Sequence, residues 1–257
     1  MQPTLQDAIR LGVEAGAILR ERFGAILKVY RKGEIDIVTD ADHSSERYLI
    51  GEIQACFPGH SIITEESGKI FGKAEHCWYL DPLDGTVNYA HGLPIFSVSV
   101  AYAENGILKY GVIYDPMRDE CFSAERGQGA WLNGEAIHVS GVEKLISSLL
   151  VTGFSYDVAT EKENNLANFE YFTKCTQSVR RLGSAALDLA YVAAGRVDGF
   201  WELWIHPWDI AAGGLIAEEA GAVVTDLDGD PDYFRSPYAM VAANPAIHPQ
   251  IMNGLKR

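Results

Sequence analysis

Apolar residues recur at every fourth position in LQDAIRLGVEAGAILRERFG, at Leu5, Ile9, Val13 and Ala17, which predicts an N-terminal helix with Gly24 placed to stop it. IDIVTDAD then alternates apolar and polar like a strand. HSSERYLIGEIQACFPG returns to helical spacing until Pro58-Gly59 ends it, and HSIITEES and CWYL read as two further strands. From 95 to 132 the pattern is β: IFSVSVAYAENGILKYGVIYDP carries Asn105-Gly106 between alternating runs, and AWLNGEAI repeats the device at Asn133-Gly134. This predicts a meander rather than a chain of βαβ units. Beyond about 147, strand and helix patterns alternate: SLLVTGFS, a helix near 161 to 178, the helix SAALDLAYVAAG, the strand VDGFWEL, the helix WDIAAGGLIAEEAG and the strand AVVTD. No internal repeat or low-complexity segment interrupts them. Layered α and β elements, with a large and mostly antiparallel sheet in the first half, fit this order best.

Composition narrows the class. With 257 residues and 47% hydrophobic content the chain can bury a large core, as a single unit of two closely fused halves, 1–146 and 147–257. Its 21 basic and 35 acidic residues leave a net charge of -14, which argues against nucleic acid or an anionic membrane as a partner and suits a protein that binds cations. Cys56, Cys77, Cys121 and Cys175 form no close metal spacing, and the N-terminus has no charged-then-apolar leader, so reduced thiols in the cytoplasm are expected. No apolar run approaches the roughly 18 residues of a membrane span.

The candidate chemistry starts in WYLDPLDGTVNYAHG, residues 78 to 92. Asp81 follows an apolar strand and should emerge at its end, Pro82 sets the direction of exit, and Asp84 follows three positions after Asp81. Two carboxylates held this close repel unless a cation lies between them. A metal site needs further oxygen ligands, and three stretches offer them. ITEESG places Glu65 and Glu66 at the end of the preceding strand, although such a pair is also ordinary solvated surface. HPWDIAAGG places Asp209 at the start of an apolar helix, where plain capping is the alternative. DIVTDAD offers Asp36, Asp40 and Asp42, of which Asp42 can equally be a cap for the following helix.

Taken together, these stretches resemble the inositol monophosphatase family. DPLDGTVN matches its Asp-Pro-[Ile/Leu]-Asp-Gly-Thr-x-Asn motif, and PWDIAAGGLIAEEAGAVVTDLDG resembles its second motif. ITEESG resembles the Glu-Glu element, and KGEIDIVTDAD the Lys-x-x-x-Asp-x-Val-Thr-x-x-Asp loop. The four occur in family order between about residues 5 and 245. The resemblance implies an αβαβα layered sandwich of the inositol monophosphatase and fructose-1,6-bisphosphatase type. It also implies Mg²⁺-dependent, lithium-sensitive hydrolysis of a small phosphate monoester, with two or three ions and a homodimer. By the same resemblance Glu65, Asp81, the Leu83 carbonyl, Asp84 and Asp209 are metal ligands, Asp42 lies near a weaker metal, and Glu66 has no role.

If TVNYAH turns helically, the amides of Gly85 and Thr86 face a phosphate. Thr86, with Glu65 or Asp42, is then expected to take the proton of the attacking water. No side chain reads as a covalent nucleophile, and His206 before Pro207 reads as packing. Gly183, Ser184 and Ala185 match the family segment that lines the pocket for the alcohol. Glu202, seven residues before Asp209, stands where inositol-hydrolysing relatives place a glutamate that accepts hydroxyl hydrogen bonds. A carboxylate between Trp201 and Leu203 needs such partners if it is buried. The expected substrate is myo-inositol 1-phosphate. Histidinol-phosphate phosphatase and fructose-1,6-bisphosphatase activity remain open, as does a regulatory or scaffold protein in which phosphatase activity is incidental.

Overall fold

The computed structural model describes residues 2–25, 28–31, 33 and 36–257. Lys32, Glu34 and Ile35 of the KGEIDIVTDAD stretch, including the first residue of the strand expected there, lie outside the described residues.

The chain runs α1 (Leu5–Arg22), β1 (Val29–Arg31), β2 (Ile37–Thr39), α2 (Asp40–Cys56), β3 (His60–Thr64), β4 (Gly68–Ile70), β5 (Lys73–Asp84), α3 (Thr86–Ala90), β6 (Ser97–Glu104), β7 (Ile107–Asp115), β8 (Glu120–Glu125), β9 (Gly129–Leu132) and β10 (Glu135–Ala136). It continues β11 (Leu149–Thr152), α4 (Leu166–Cys175), β12 (Ser178–Arg180), α5 (Ala185–Ala193), β13 (Gly199–Leu203), α6 (Pro207–Glu219), β14 (Val223–Thr225), β15 (Ala239–Ala243) and α7 (His248–Leu255). An eight-stranded sheet has the order β10-β9-β8-β7-β6-β5-β3-β4 and is antiparallel except between β3 and β5. A five-stranded sheet has the order β12-β11-β13-β15-β14, with β11 parallel to both of its neighbours.

Five layers result. Helices α1 and α2 pack on one face of the large sheet, α5 and α6 fill the space between the sheets, and α4 and α7 cover the far side of the small sheet. Helix α6 is apolar almost all round, with Ile210 through Ala217 buried, because it meets a sheet on both sides.

The expected meander is present. Asn105-Gly106 and Asn133-Gly134 both place two residues at positive φ, as tight hairpins require. Helix α1 forms as expected and ends before Gly24, but its buried stripe is Ala8, Leu11, Gly12, Ala15, Gly16 and Leu19 rather than the residues at fourfold spacing. Gly12 and Gly16 lie directly against Val112 and Tyr114, so close approach to the sheet, not side-chain bulk, chooses the face. Two expected elements differ. IDIVTDAD contributes only β2 before Thr39 caps α2, so the strand pattern gives way to a helix at Asp40. The helix expected near 161 to 178 shortens to α4. Its start is fixed by long-range bonds to Asn165, which accepts from Trp201 Nε1 at 2.7 Å and donates to Thr152 Oγ1 at 3.0 Å, and β12 takes the residues after it.

Candidate active site

Strand β5 ends in the DPLD sequence, and its ladder with β6 is irregular between Asp81 and Asp84 because Pro82 has no N–H to give. The freed segment is held by side chains instead: Ser45 Oγ donates to Pro82 O at 2.7 Å and Leu83 N donates to Asp81 Oδ1 at 3.0 Å. Gly85 then turns the chain at φ +98°, and α3 begins at Thr86. An added Cβ at Gly85 would lie 3.0 Å from Ile95 O and 3.2 Å from Gly183 O, so this turn is packed on both sides by backbone. Asn88 Nδ2 donates to Ile95 O and Leu182 O, both at 2.8 Å, and so ties the motif to the Gly183-Ser184-Ala185 turn nearly a hundred residues later.

That connection closes one side of a cavity of about 660 Å³ lined by Glu65, Asp81, Leu83, Asp84, Gly85, Thr86, Gly183, Ser184, Ala185, Glu202 and Asp209. Every residue to which the family resemblance gives a role, except Asp42, thus meets there, whereas Asp40 pairs with Arg22 outside it and Glu66 does not line it. Asp42 stands behind Thr86, fully buried: its Oδ1 accepts from Thr86 Oγ1 at 2.9 Å, and its Oδ2 accepts from Thr39 N at 2.8 Å and Thr39 Oγ1 at 2.5 Å. Both alternatives for Asp42 therefore hold, since it closes the capping box of α2 and also touches the DPLDGT turn. Asp209 shows the same duality. Its Oδ2 accepts from His206 N at 2.9 Å in the capping box of α6, while the residue lines the cavity. Thr86 Oγ1 also lies 3.1 Å from Leu83 O, so its single proton has two acceptors.

Glu65 is brought to the cavity by a buried residue that has no motif signature. Glu46, on α2, accepts from Thr64 Oγ1 at 2.8 Å, Ser67 N at 2.9 Å and Ser67 Oγ at 2.7 Å, and so pins both sides of the Glu65-Glu66 turn. Asp84 Oδ2 accepts from Ser184 Oγ at 2.5 Å and Ala186 N at 2.8 Å, anchoring β5 to the start of α5.

Collecting acids in a closed space raises their pKa values. Asp81 is pushed well above the usual carboxylate range, by burial first and then by the charges of Glu65, Asp84 and Asp209. Asp209 moves the same way for the same reasons. Burial lifts Asp84 to about 6, with the Ser184 and Ala186 hydrogen bonds opposing. Glu202, buried between Trp201 and Leu203, is lifted to about 8 by burial and by the charge of Asp84, against the pull of Arg181. Four carboxylates and a carbonyl are all hard oxygen donors, and their mutual repulsion is what a divalent cation would relieve. The donor set fits such an ion in kind, and its members line one cavity. As the side chains stand, no group of three or more His, Cys, Asp or Glu among the described residues is arranged to hold one.

Three features had no readable signal. Asp188, one turn into α5, lines the cavity and is 1% exposed. Arg181 lines it too. The segment from Gly153 to Thr160 forms a wall, and the phenol of Tyr156 is pushed up by burial and by Glu65, Asp36, Asp84 and Asp209. These residues reach the cavity through packing of the second half, which no local motif records. His91 does not line the cavity, whereas His206 does and stacks on Trp208 with ring centroids 4.8 Å apart.

This layered fold, with its acidic cavity at the end of β5, defines a class of phosphatase. The chain belongs to the inositol monophosphatase family, whose model matches residues 1–257. The family is generally metal-dependent and acts on small phosphorylated substrates. The chain is 42% identical to Nus factor SuhB of Pasteurella multocida, covering 100% of this chain and 97% of that protein. It is also 42% identical to inositol-1-monophosphatase of Synechocystis sp., covering 99% and 89%. The solved inositol monophosphatase of Anabaena (Nostoc) sp. superposes with a TM-score of 0.88 at 44% identity, covering 98% of this chain and 94% of that one. No helix among the described residues is long and apolar enough to cross a membrane.

Proposed function

We propose that the protein hydrolyses myo-inositol 1-phosphate to inositol and phosphate with Mg²⁺, in two or three ions held by Glu65, Asp81, Leu83 O, Asp84 and Asp209. The observation that carries this reading is a single cavity with two chemically distinct ends: a phosphate end of carboxylates and the Gly85-Thr86 turn, and an alcohol end with the buried Glu202. Bound Mg²⁺ would supply charge neutralisation for the phosphate and Lewis acidity toward its oxygens.

The chain's own groups do the rest. The Gly85 and Thr86 amides at the start of α3 receive phosphate oxygens. Thr86 Oγ1 orients the attacking water, and Asp42, hydrogen-bonded to that hydroxyl, or Glu65 takes up the water's proton. Ser184 and Ala186 N hold Asp84 in place through one oxygen and leave the other toward the cavity. Gly153 lets the Glu202 carboxylate pack directly against the backbone: an added Cβ would collide with both Oε1 and Oε2, so any side chain there would displace Glu202. In this reading residues 1–146 bring most of the phosphate end and residues 147–257 the alcohol pocket and Asp209. The protein works as a lithium-sensitive cytoplasmic homodimer.

Phosphate release from inositol 1-phosphate, histidinol phosphate and fructose 1,6-bisphosphate, with Mg²⁺ and with excess EDTA, tests the proposal. Preference for either of the latter two substrates would replace the inositol assignment, and full activity in EDTA would end the metal reading. A second reading, a regulatory role, is favoured by the relatives named Nus factor SuhB at 42% and 43% identity. Absence of Mg²⁺-dependent turnover on every monoester tried would make that reading the primary one.

A further inference from the structure

The alcohol end holds a second acid that the proposed chemistry leaves unused. Asp188 lies in the first turn of α5, four residues after the N-cap Ser184, so it shares a face with Ser184 and stands about one helical turn, roughly 5.4 Å, farther from the phosphate end. Asp188 lines the same cavity as Glu202, which projects from β13 on the neighbouring layer, and α5 packs directly on β13. Although Asp188 is 1% exposed, its Oδ1 has no hydrogen-bond partner among the described residues. Buried carboxyls are ordinarily satisfied, so one left open beside a substrate cavity is a place for a ligand's hydrogen bond. The ligand that fits is a neutral hydroxyl. Arg181, whose charge reaches both Asp188 and Glu202, already supplies a cation to this corner.

Resting on the inositol phosphate reading above, we infer that Asp188 is a specificity-determining residue that pairs with Glu202 to bind two separate hydroxyls of a polyol monoester. A ring alcohol carrying hydroxyls along its length engages both carboxyls, whereas a three-carbon alcohol held at the phosphate end falls short of Asp188.

The full-length protein and its Asp188→Ala and Asp188→Asn variants, assayed with Mg²⁺ on myo-inositol 1-phosphate, its monodeoxy analogues and glycerol 2-phosphate, test this. The expected result for Asp188→Ala is a loss of about tenfold or more in kcat/KM on inositol 1-phosphate and less than about twofold on glycerol 2-phosphate. Asp188→Asn, which keeps a donor and an acceptor, should recover part of the loss. One deoxy analogue, lacking the hydroxyl that Asp188 binds, should be turned over equally by the parent and by Asp188→Ala. The melting temperature of Asp188→Ala should be no lower than that of the parent, since Oδ1 has no protein partner to lose. An equal loss on every substrate together with a lower melting temperature would make Asp188 structural, and unchanged kinetics on all of them would equally overturn the assignment. If the parent protein itself ignores inositol 1-phosphate and prefers an amine such as histidinol phosphate, the substrate reading fails and this assignment fails with it. Normal parent turnover with a uniform loss in the variant identifies failure of the Asp188 assignment alone.

Discussion

Replacing Gly85 with alanine tests how the DPLDGT turn is built. At φ +98° a side chain is strained in the left-handed region, which costs about 1–2 kcal/mol. The new methyl would also lie 3.0 Å from Ile95 O, 3.2 Å from Gly183 O and 3.3 Å from Phe96 Cα. All three are backbone atoms, so the walls themselves must shift by tenths of an ångström, and overpacking of this kind adds about 1–3 kcal/mol. The sum, about 2–5 kcal/mol, is a large fraction of a stability of roughly 5–15 kcal/mol but does not exceed most of that range, so the variant should fold. At about 2–4 °C per kcal/mol for a chain of this size, the melting temperature should fall by about 4–20 °C. Gly92→Ala is the control: φ is +72° there too, but no atom lies within 4 Å of the added methyl, so only the conformational part applies. Thermal melts and steady-state phosphate release on both variants provide the measurement. Gly85→Ala should lose at least about tenfold in kcat, because the displaced walls carry Gly183 and the Thr86 turn, while Gly92→Ala keeps its rate. Equal melting temperatures in the two variants, with kcat unchanged in both, would refute the packing argument.

Asp84→Asn and Asp209→Asn should each abolish most turnover while the chain stays folded, and turnover within about threefold of the parent would remove that residue from the proposed metal set. Ca²⁺ should inhibit by occupying the same oxygen ligands with looser geometry, which competition against Mg²⁺ in a rate assay would reveal. Assayed above pH 8, where Glu202 is ionised, Glu202→Gln should lower kcat/KM for inositol 1-phosphate about tenfold, the equivalent of roughly 1–3 kcal/mol for a charge-assisted hydrogen bond, with much less effect on glycerol 2-phosphate; an equal fall on both would place Glu202 in the scaffold. In EDTA, stability should decline as pH rises. The folded pKa values of Asp84, about 6, and Glu202, about 8, lie above their unfolded values, so the folded state binds more protons. Their contribution is fully present below about pH 4 and is lost as pH rises through 6 and then 8. Melts from pH 5 to 9 with EDTA and with Mg²⁺ check this, and a melting temperature that rises with pH in EDTA would contradict the burial of these acids.

Local pattern was enough for much of this protein. Two hairpins are written in Asn-Gly pairs whose backbone freedom selects one turn, and α1 and α2 are bounded by residues that cap or cannot continue a helix. The acidic residues at the end of CWYL were legible for the same reason: a carboxylate after an apolar strand, with a proline behind it, has few places to go. Even so, spacing alone could not decide whether Asp42 and Asp209 cap helices or face a site, and the folded chain has each doing the first while touching or lining the second. Nor could it place Asp188 and Arg181, whose relevance depends on α5 lying between two sheets, or Glu46, whose three hydrogen bonds hold a turn some twenty residues away. The buried face of α1 and the late start of α4 were likewise settled by partners distant in sequence, Tyr114 for one and Trp201 for the other. Caps, turns and strand alternation are set by interactions within a few residues, which sequence records directly. The cavity is set by which layers meet, and that depends on burying every apolar face at once.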